Sequence, residues 1–339
     1  CGTGKAQEVK QLAVDCGADC VVFDNMLAPS QQREWERLID ECVIDREEVI
    51  LDIFAKRART REATLQVELA RMQYSLPRMA RMWSHLDRQG GGSGGGKGGG
   101  GAARGEGEKQ IEVDRRLARA RIEAIQKELV MVTRQRATQR KERERQAVAT
   151  AAIVGYTNAG KSSLLSLVSG SEVMARDMLF ATLDTTTRKI ELPNGQPLLL
   201  TDTVGFIRNL PHRLVEAFKS TLEEAVLADF LVQVVDASDP EAVRHYETTL
   251  EVLGELGAGD KPMIVVLNKL DLVPEEERAA LTERLAPHFN GSLVCMSVRE
   301  GQGTEDLLRA CVEMLESRVR RARFLIPYTR SDLAAAMHS

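Results

Sequence analysis

The stretch GYTNAGKSS, residues 155–163, fits the spacing G-x-x-x-x-G-K-S/T at Gly155, Gly160, Lys161 and Ser162. An apolar run, TAAIVG, precedes it, and SSLLSLVS follows with helical spacing. A strand, a glycine-bearing loop and a helix start in that order form a phosphate-binding loop. The glycines let backbone N–H groups approach phosphate oxygens, and the helix N-terminus adds positive potential. The loop residues Tyr156, Thr157, Asn158, Ala159 and Ser163 belong to the same cradle. In it Lys161 reaches the β and γ phosphates and the Ser162 hydroxyl ligates Mg2+.

Working outward, four more apolar runs predict strands: PLLLTDT (197–203), FLVQVVDA (230–237), PMIVVLN (262–268) and SLVCMS (292–297). Each is followed by a helical or loop stretch, which predicts an α/β fold with a doubly wound sheet and ligands at the strand ends. DTVGF, residues 202–206, places Asp202 at one strand end, where a carboxylate holds Mg2+ through water. Thr203 and Val204 lead to Gly205, whose N–H can meet a γ-phosphate. The next residue, a water-orienting glutamine in many such switches, is Phe206 here. NKLD, residues 268–271, closes another strand at Asn268. The Asp271 carboxylate can accept from N1–H and N2–H2 of guanine, an arrangement adenine lacks, and the Lys269 stem can stack on the base. SVR, Ser297, Val298 and Arg299, can offer a backbone N–H to the guanine O6. The substrate read from these motifs is GTP. Between loop and switch, FATLDTTTR holds Thr182, Thr185, Thr186 and Thr187, any of which can complete the metal shell by position alone.

Upstream, residues 1–57 read as a small α/β domain that begins mid-fold, with strands at DCVVFD and CVID. Residues 58–147 read as an antiparallel helical hairpin. Leu65, Leu69, Met72, Leu76, Met79, Trp83 and Leu86 recur at steps of four and three, and Ile122, Ile125, Leu129 and Val132 continue the rhythm. A glycine-rich tip, GGGSGGGKGGGG (90–101), separates the arms, and Pro77 should kink the first. The outer faces read as arginine-rich: Arg71, Arg78, Arg81 and Arg88 on one arm; Arg115, Arg116, Arg119, Arg121, Arg134, Arg136 and Arg140 on the other. Residues 148–320 form the nucleotide-binding domain, and 321–339 read as the start of a further domain cut short.

The net charge of −4 hides an asymmetry. Residues 53–147 hold 22 Lys and Arg against 11 Asp and Glu, a net of +11, which points to a local polyanion-binding surface. No apolar run approaches membrane-spanning length and no signal peptide is visible, so a cytoplasmic protein without stable membrane insertion is expected. Cys1, Cys16, Cys20, Cys42, Cys295 and Cys311 lack metal-ligand spacing and read as reduced thiols.

GYTNAGKSSL, LFATLDTTTRKI, DTVGFIRNLPHRLVEAFKSTLEEAVLADFLVQVVDASDP and NKLD resemble the HflX-type GTPases, a translation-factor-related group. So do GTGKAQEVKQL, DCVVFDNMLAPSQQR and RGEGEKQIEVDRR upstream, and the likeness runs over nearly the whole chain. Glu106, Lys109 and Val298 stand where the family usually has Pro, Thr and Ala. The resemblance implies that Thr182 is the switch threonine on Mg2+, with Phe180, Ala181, Leu183 and Asp184 lining the nucleotide. It implies a K+ site at Asn158, whose cation would supply charge near the phosphates. It also implies a monomer that binds the large ribosomal subunit and its rRNA, with Arg104, Arg115, Arg116 and Arg119 on the RNA surface. Phe206, which cannot orient water, leads to the expectation that hydrolysis is slow alone and ribosome-stimulated, with Lys161, Thr182 and Gly205 as the catalytic set, in ribosome splitting, rescue or recycling under stress. Two alternatives are a GTPase of tRNA modification and an RNA-binding scaffold that uses GTP structurally. No substrate-carbon or flavin site supports the first of these.

Overall fold

The structure, a computed structural model, describes residues 2–79, 102–144, 148–170, 183, 185–208 and 219–317. The short apolar runs at the start pair as β1 (Cys20–Phe23) and β2 (Cys42–Asp45), parallel in register from Cys20 with Cys42 to Phe23 with Asp45. Helices α1 (Thr3–Cys16) and α2 (Pro29–Ile39) cover them, burying Ala13, Ile39 and Val43 with Phe23 and Trp35 alongside. Gly17 ends α1 in the left-handed conformation, returning its N–H to Val14. Asp45 closes β2 and caps α3 (Arg46–Arg57) by accepting from the Glu48 N–H.

Thr60 caps α4 (Arg61–Ser75) in the same way, through Ala63. The helix stops two residues before Pro77, and Leu76–Arg78 tightens into a 3-10 turn. The second arm is α5 (Ala102–Glu144). Leu65 and Leu69 of α4 pack on Ile122, Ile125 and Leu129 of α5, the seam expected from the heptad-like spacing. Arg61 pairs with Glu128 at 2.5 Å and Glu68 with Arg121 at 2.7 Å, so the arms run antiparallel. The tip at 90–101, Arg81, Trp83, Leu86, Arg88 and residues 321–339 lie outside the described residues.

One arginine is not where its spacing put it. Arg78 is buried rather than on the outer face. Its guanidinium donates to Gln32 Oε1 (2.9 Å), Tyr74 O (3.0 Å) and Leu27 O (2.7 Å), and lies 3.7 Å over the Tyr74 ring. Asp45, fully buried, faces it at 3.5 Å. The 3-10 turn rotates Arg78 out of the helical phase on which the exposed face was read. A guanidinium with that many acceptors is then satisfied without water.

The remaining sheet has six strands in the order β4-β5-β3-β6-β7-β8. They are β3 (Ala149–Gly155), β4 (Thr186–Glu191), β5 (Pro197–Asp202), β6 (Phe230–Asp236), β7 (Met263–Asn268) and β8 (Ser292–Cys295). All neighbours are parallel except edge strand β4, which runs antiparallel to β5. The sequence reading has no strand at β4, because TTRKIE buries one residue, Ile190, and carries none of the continuous apolar signal of the central strands. Helices α6 (Lys161–Ser169) and α10 (Thr304–Glu316) pack on one face, over Ile153, Leu198, Phe230 and Val266. Helices α7 (Lys219–Leu227), α8 (Ala242–Glu255) and α9 (Glu275–Leu285) cover the other, over Val154, Leu231, Val235 and Leu267. Both faces are covered, as a parallel sheet requires, and the strand ends are left for a ligand.

Candidate nucleotide site

The C-terminal ends of β3, β5, β7 and β8 bring the predicted motifs together. The loop after β3 enters α6 through Gly160, in the left-handed region at φ 102°, with no side-chain cap. A Cβ on Gly160 would overlap the Asn268 amide, so a side chain is excluded by space as well as by backbone. Gly160 puts no capping side chain over the first turn of α6, as an anion cradle requires. Lys161 is buried and its Nζ donates to Tyr156 O at 2.8 Å. Burial lowers its pKa from 10.5 to about 8, with the Asp202 carboxylate opposing. Ser162 Oγ donates to Asp202 Oδ2 at 2.6 Å. Asp202 ends β5 in register with Ile153 of β3 and Thr186 of β4, and the next hydroxyl, Thr203 Oγ1, donates to Ile153 O.

The segment after Asp202 lies against the phosphate loop. Phe206 N donates to Gly155 O (3.1 Å) and Thr157 N donates to Phe206 O (2.8 Å), a parallel bridge between the two segments. Arg208 N donates to Tyr156 Oη at 3.1 Å. Gly205 leaves no room for a side chain: a Cβ there would come within 2.9 Å of Lys161 Nζ and 2.8 Å of Thr157 Cγ2. Side chains then alternate between two cores. Val204 and Ile207 enter a cluster with Ile50, Leu51 and Phe54 of α3 and Val67 and Tyr74 of α4. Phe206 points the other way, 1 % exposed, among Val154, Leu222 and Ala225. The residue that replaces glutamine is thus a core residue. The upstream helices grip one side of the segment and the sheet grips the other. Arg46 of α3 adds a hydrogen bond to Arg208 O at 3.0 Å.

At the other end, Asn268 is a buried bracket. Its Nδ2 donates to Ala159 O (2.8 Å), and its Oδ1 accepts from Val298 N (3.0 Å). It ties the phosphate loop to the Ser297–Arg299 loop. The Asp271 carboxylate is oriented by Ser297 Oγ at 2.7 Å. In this structure the amides of Ser297, Val298 and Glu300 are engaged within the protein. Lys269 has φ 65° and its Nζ lies 2.7 Å from Asp236 Oδ2.

Phe180, Ala181, Thr182 and Asp184 lie outside the described residues. Leu183, expected to line a nucleotide, is buried with Val204 and Ile207 against α3 and α4, so any part it takes there falls to its backbone. Of the RNA candidates, Arg116 and Arg119 are exposed on α5 and Arg115 is half-buried; the Arg104 side chain is outside the described set. Sequence reasoning missed His245, which stacks on Tyr156 with ring centroids 3.8 Å apart, and Asp236. Asp236 had a signal, an acid closing an apolar strand as Asp202 does. No described helix is long and apolar enough to cross a membrane.

Three family models match in sequence: GTP-binding GTPase N-terminal over residues 1–55, GTP-binding GTPase Middle Region over 57–143, and 50S ribosome-binding GTPase over 150–269. Among curated proteins, GTPase HflX of Akkermansia muciniphila is 92% identical over all of this chain and 78% of its own length. GTPase HflX of Escherichia coli is 43% identical over 96% of this chain and 74% of its own length. Among solved structures, a GTP-binding protein from Sulfolobus solfataricus in complex with GDP is 25% identical. Its TM-score is 0.51, over 94% of this chain and 86% of that one.

Proposed function

This chain belongs to the HflX family of GTPases, and we propose that its GTP hydrolysis is coupled to binding of the large ribosomal subunit through the basic segment upstream of the nucleotide site. It binds GTP and hydrolyses it to GDP and phosphate. The observation that carries the coupling is the position of Phe206. Its side chain is buried among Val154, Leu222 and Ala225, and its backbone is bonded to Gly155 and Thr157. Nothing at that position orients an attacking water, so hydrolysis by the protein alone is slow and a partner that rearranges the segment accelerates it. The same segment is packed on α3 and α4, next to the basic helices, which gives a ribosome-bound surface a mechanical route to it. The family description of a 50S ribosome-binding GTPase over 150–269 supports the choice of partner. So do the net +11 of residues 53–147 and the exposure of Arg116 and Arg119. Splitting or recycling of ribosomes under stress is the cellular role this reading leads to.

In the site, the N–H groups from Gly155 to Ser163 hold the phosphates, and Lys161 moves from Tyr156 O onto the β and γ oxygens. The Gly205 N–H is assigned to the γ-phosphate, at a position where a Cβ would come within 2.9 Å of Lys161 Nζ. Ser162 and Asp202 are hard oxygen donors that already touch, a set that fits Mg2+. With Thr182 they would hold it, Asp202 through water, and the ion would neutralise charge developing on the phosphates. Asn158, at φ 63°, is the residue this reading assigns to K+. Lys269, Asp271 and the Ser297–Arg299 loop take the guanine base.

The test is GTP turnover with and without purified large subunits, across a salt series, for the native chain and for Arg115, Arg116 and Arg119 replaced together by Ala. Stimulation that falls with salt, and is weakened in the triple variant while GTP affinity is unchanged, supports the coupling. Equal rates with and without subunits would sink it.

A further inference from the structure

We propose that Asp236, outside the nucleotide motifs, is a positioning residue for guanine-nucleotide binding: it pins Lys269 so that the lysine stem forms a preformed wall of the base site. The inference rests on the reading of Lys269 as a base-site residue.

Asp236 is the last residue of β6 and lies in register with Asn268, the last residue of β7. The ladder continues one step further, through Ala237 N to Asn268 O at 2.9 Å, so the spacing between the two strand ends is rigid. Its two carboxylate oxygens have separate tasks. Oδ1 accepts from Ser238 N (3.0 Å) and Ser238 Oγ (2.6 Å), which fixes the plane of the carboxylate. Oδ2 is thereby aimed at Lys269 Nζ, 2.7 Å away. The side chains are 23% and 19% exposed, so the pair is shielded from water more than a surface ion pair is. Lys269 is one of three non-glycine residues at positive φ among the described residues, a strained setting for a β-carbon that the surroundings must hold.

Three consequences follow for a ligand. A free lysine loses side-chain rotamer entropy when it is ordered. With Nζ held by Asp236, that loss is taken on folding instead of on nucleotide binding, which is preorganisation. The carboxylate also cancels the ammonium charge, so Lys269 offers a flat aliphatic surface to a neutral base while Lys161 keeps the cationic duty at the phosphates. Finally, Asp236 itself, though not Lys269, lines a cleft of about 150 Å3 together with Asn158, Ala159 and His245. The simpler role for Asp236, a turn residue serving Ser238 alone, makes a different prediction and is separated by the test.

The test is a double-mutant cycle over Asp236→Ala and Lys269→Met. Equilibrium affinity for GDP and for a non-hydrolysable GTP analogue is measured for all four proteins, with kcat and KM for GTP alongside. Asp236→Ala should weaken both nucleotides about five- to tenfold in the native background and less than twofold in the Lys269→Met background. KM should rise while kcat stays within twofold, and Ser238→Ala, which leaves the Ser238 N–H on Oδ1 to hold the carboxylate, should change affinity less than twofold. If Asp236→Ala weakens binding equally in both backgrounds, or not at all while Lys269→Met does, the pinning role is wrong and the base-site reading stands. If Lys269→Met has no effect on either nucleotide, the base-site reading itself falls. Asp236→Asn, which keeps an acceptor for Ser238, runs the same cycle should the Ala variant fail to fold.

Discussion

Replacing Phe206 by Gln restores the residue that many GTPases use to orient water, and it should fail to create a fast enzyme. The Phe206 side chain is 1 % exposed and belongs to the apolar core that also holds Val154, Leu222 and Ala225. Truncating a buried Phe costs about 3–5 kcal/mol. Glutamine refills part of that volume, but it brings an amide with no partner in an apolar cluster, which costs a further ~1–3 kcal/mol. A net loss of about 3–5 kcal/mol is a large fraction of the stability of an ordinary domain. With a urea m-value of about 2 kcal/mol/M, the unfolding midpoint should fall by roughly 1.5–2.5 M. GTP turnover without ribosomes should not rise. Phe206→Leu, which keeps an apolar side chain, should lose about 1–1.5 kcal/mol and keep native turnover. The reasoning is refuted if Phe206→Gln unfolds within 1 kcal/mol of the native protein and hydrolyses GTP tenfold faster alone. That result would place the side chain at the phosphates rather than in the core.

Three further outcomes are expected. The Lys161 pKa is lowered to about 8 in the folded protein, from 10.5, so above pH 8 the folded chain without nucleotide loses a proton that an unfolded lysine keeps. This group therefore destabilises the fold below pH 8, and the penalty is relieved as pH rises from 8 to 10.5. Phosphate binding should restore the charge, so calorimetry in buffers of different ionisation enthalpy should show proton uptake on GDP binding that grows from pH 7 to 9. No change in uptake over that window counts against it. Gly205→Ala puts a Cβ within 2.9 Å of Lys161 Nζ and should lower single-turnover hydrolysis about 100-fold while GDP affinity changes only a few-fold; equal losses in both would assign Gly205 a structural role alone. Arg78→Met leaves Asp45 fully buried without its cation and should cost about 3–5 kcal/mol in denaturant unfolding; a loss under 1 kcal/mol would show the network to be dispensable.

Motifs whose chemistry is local were legible in the chain. The spacing of Gly155, Gly160, Lys161 and Ser162, and the placing of Asp202 and Asn268 after apolar runs, led to the strand ends that the fold brings together. Edge strand β4 was not legible, because a strand with one buried residue carries little periodic signal. Arg78 was misplaced, because a helical phase was carried through a turn that breaks it. The contacts of Asp236 with Lys269 and of His245 with the Tyr156 ring join segments that no sequence spacing relates.

The sequence by itself determined that this is a phosphate-loop GTPase with a basic helical region ahead of its nucleotide domain. Loop glycines, strand-end acids and charge runs are set by bonds within a few residues. What Phe206 does was decided by tertiary structure alone. DTVGF runs between two cores that compete for its side chains, and the upstream helices take Val204 and Ile207 while the sheet takes Phe206. That division depends on packing between segments more than a hundred residues apart, and no local pattern encodes it.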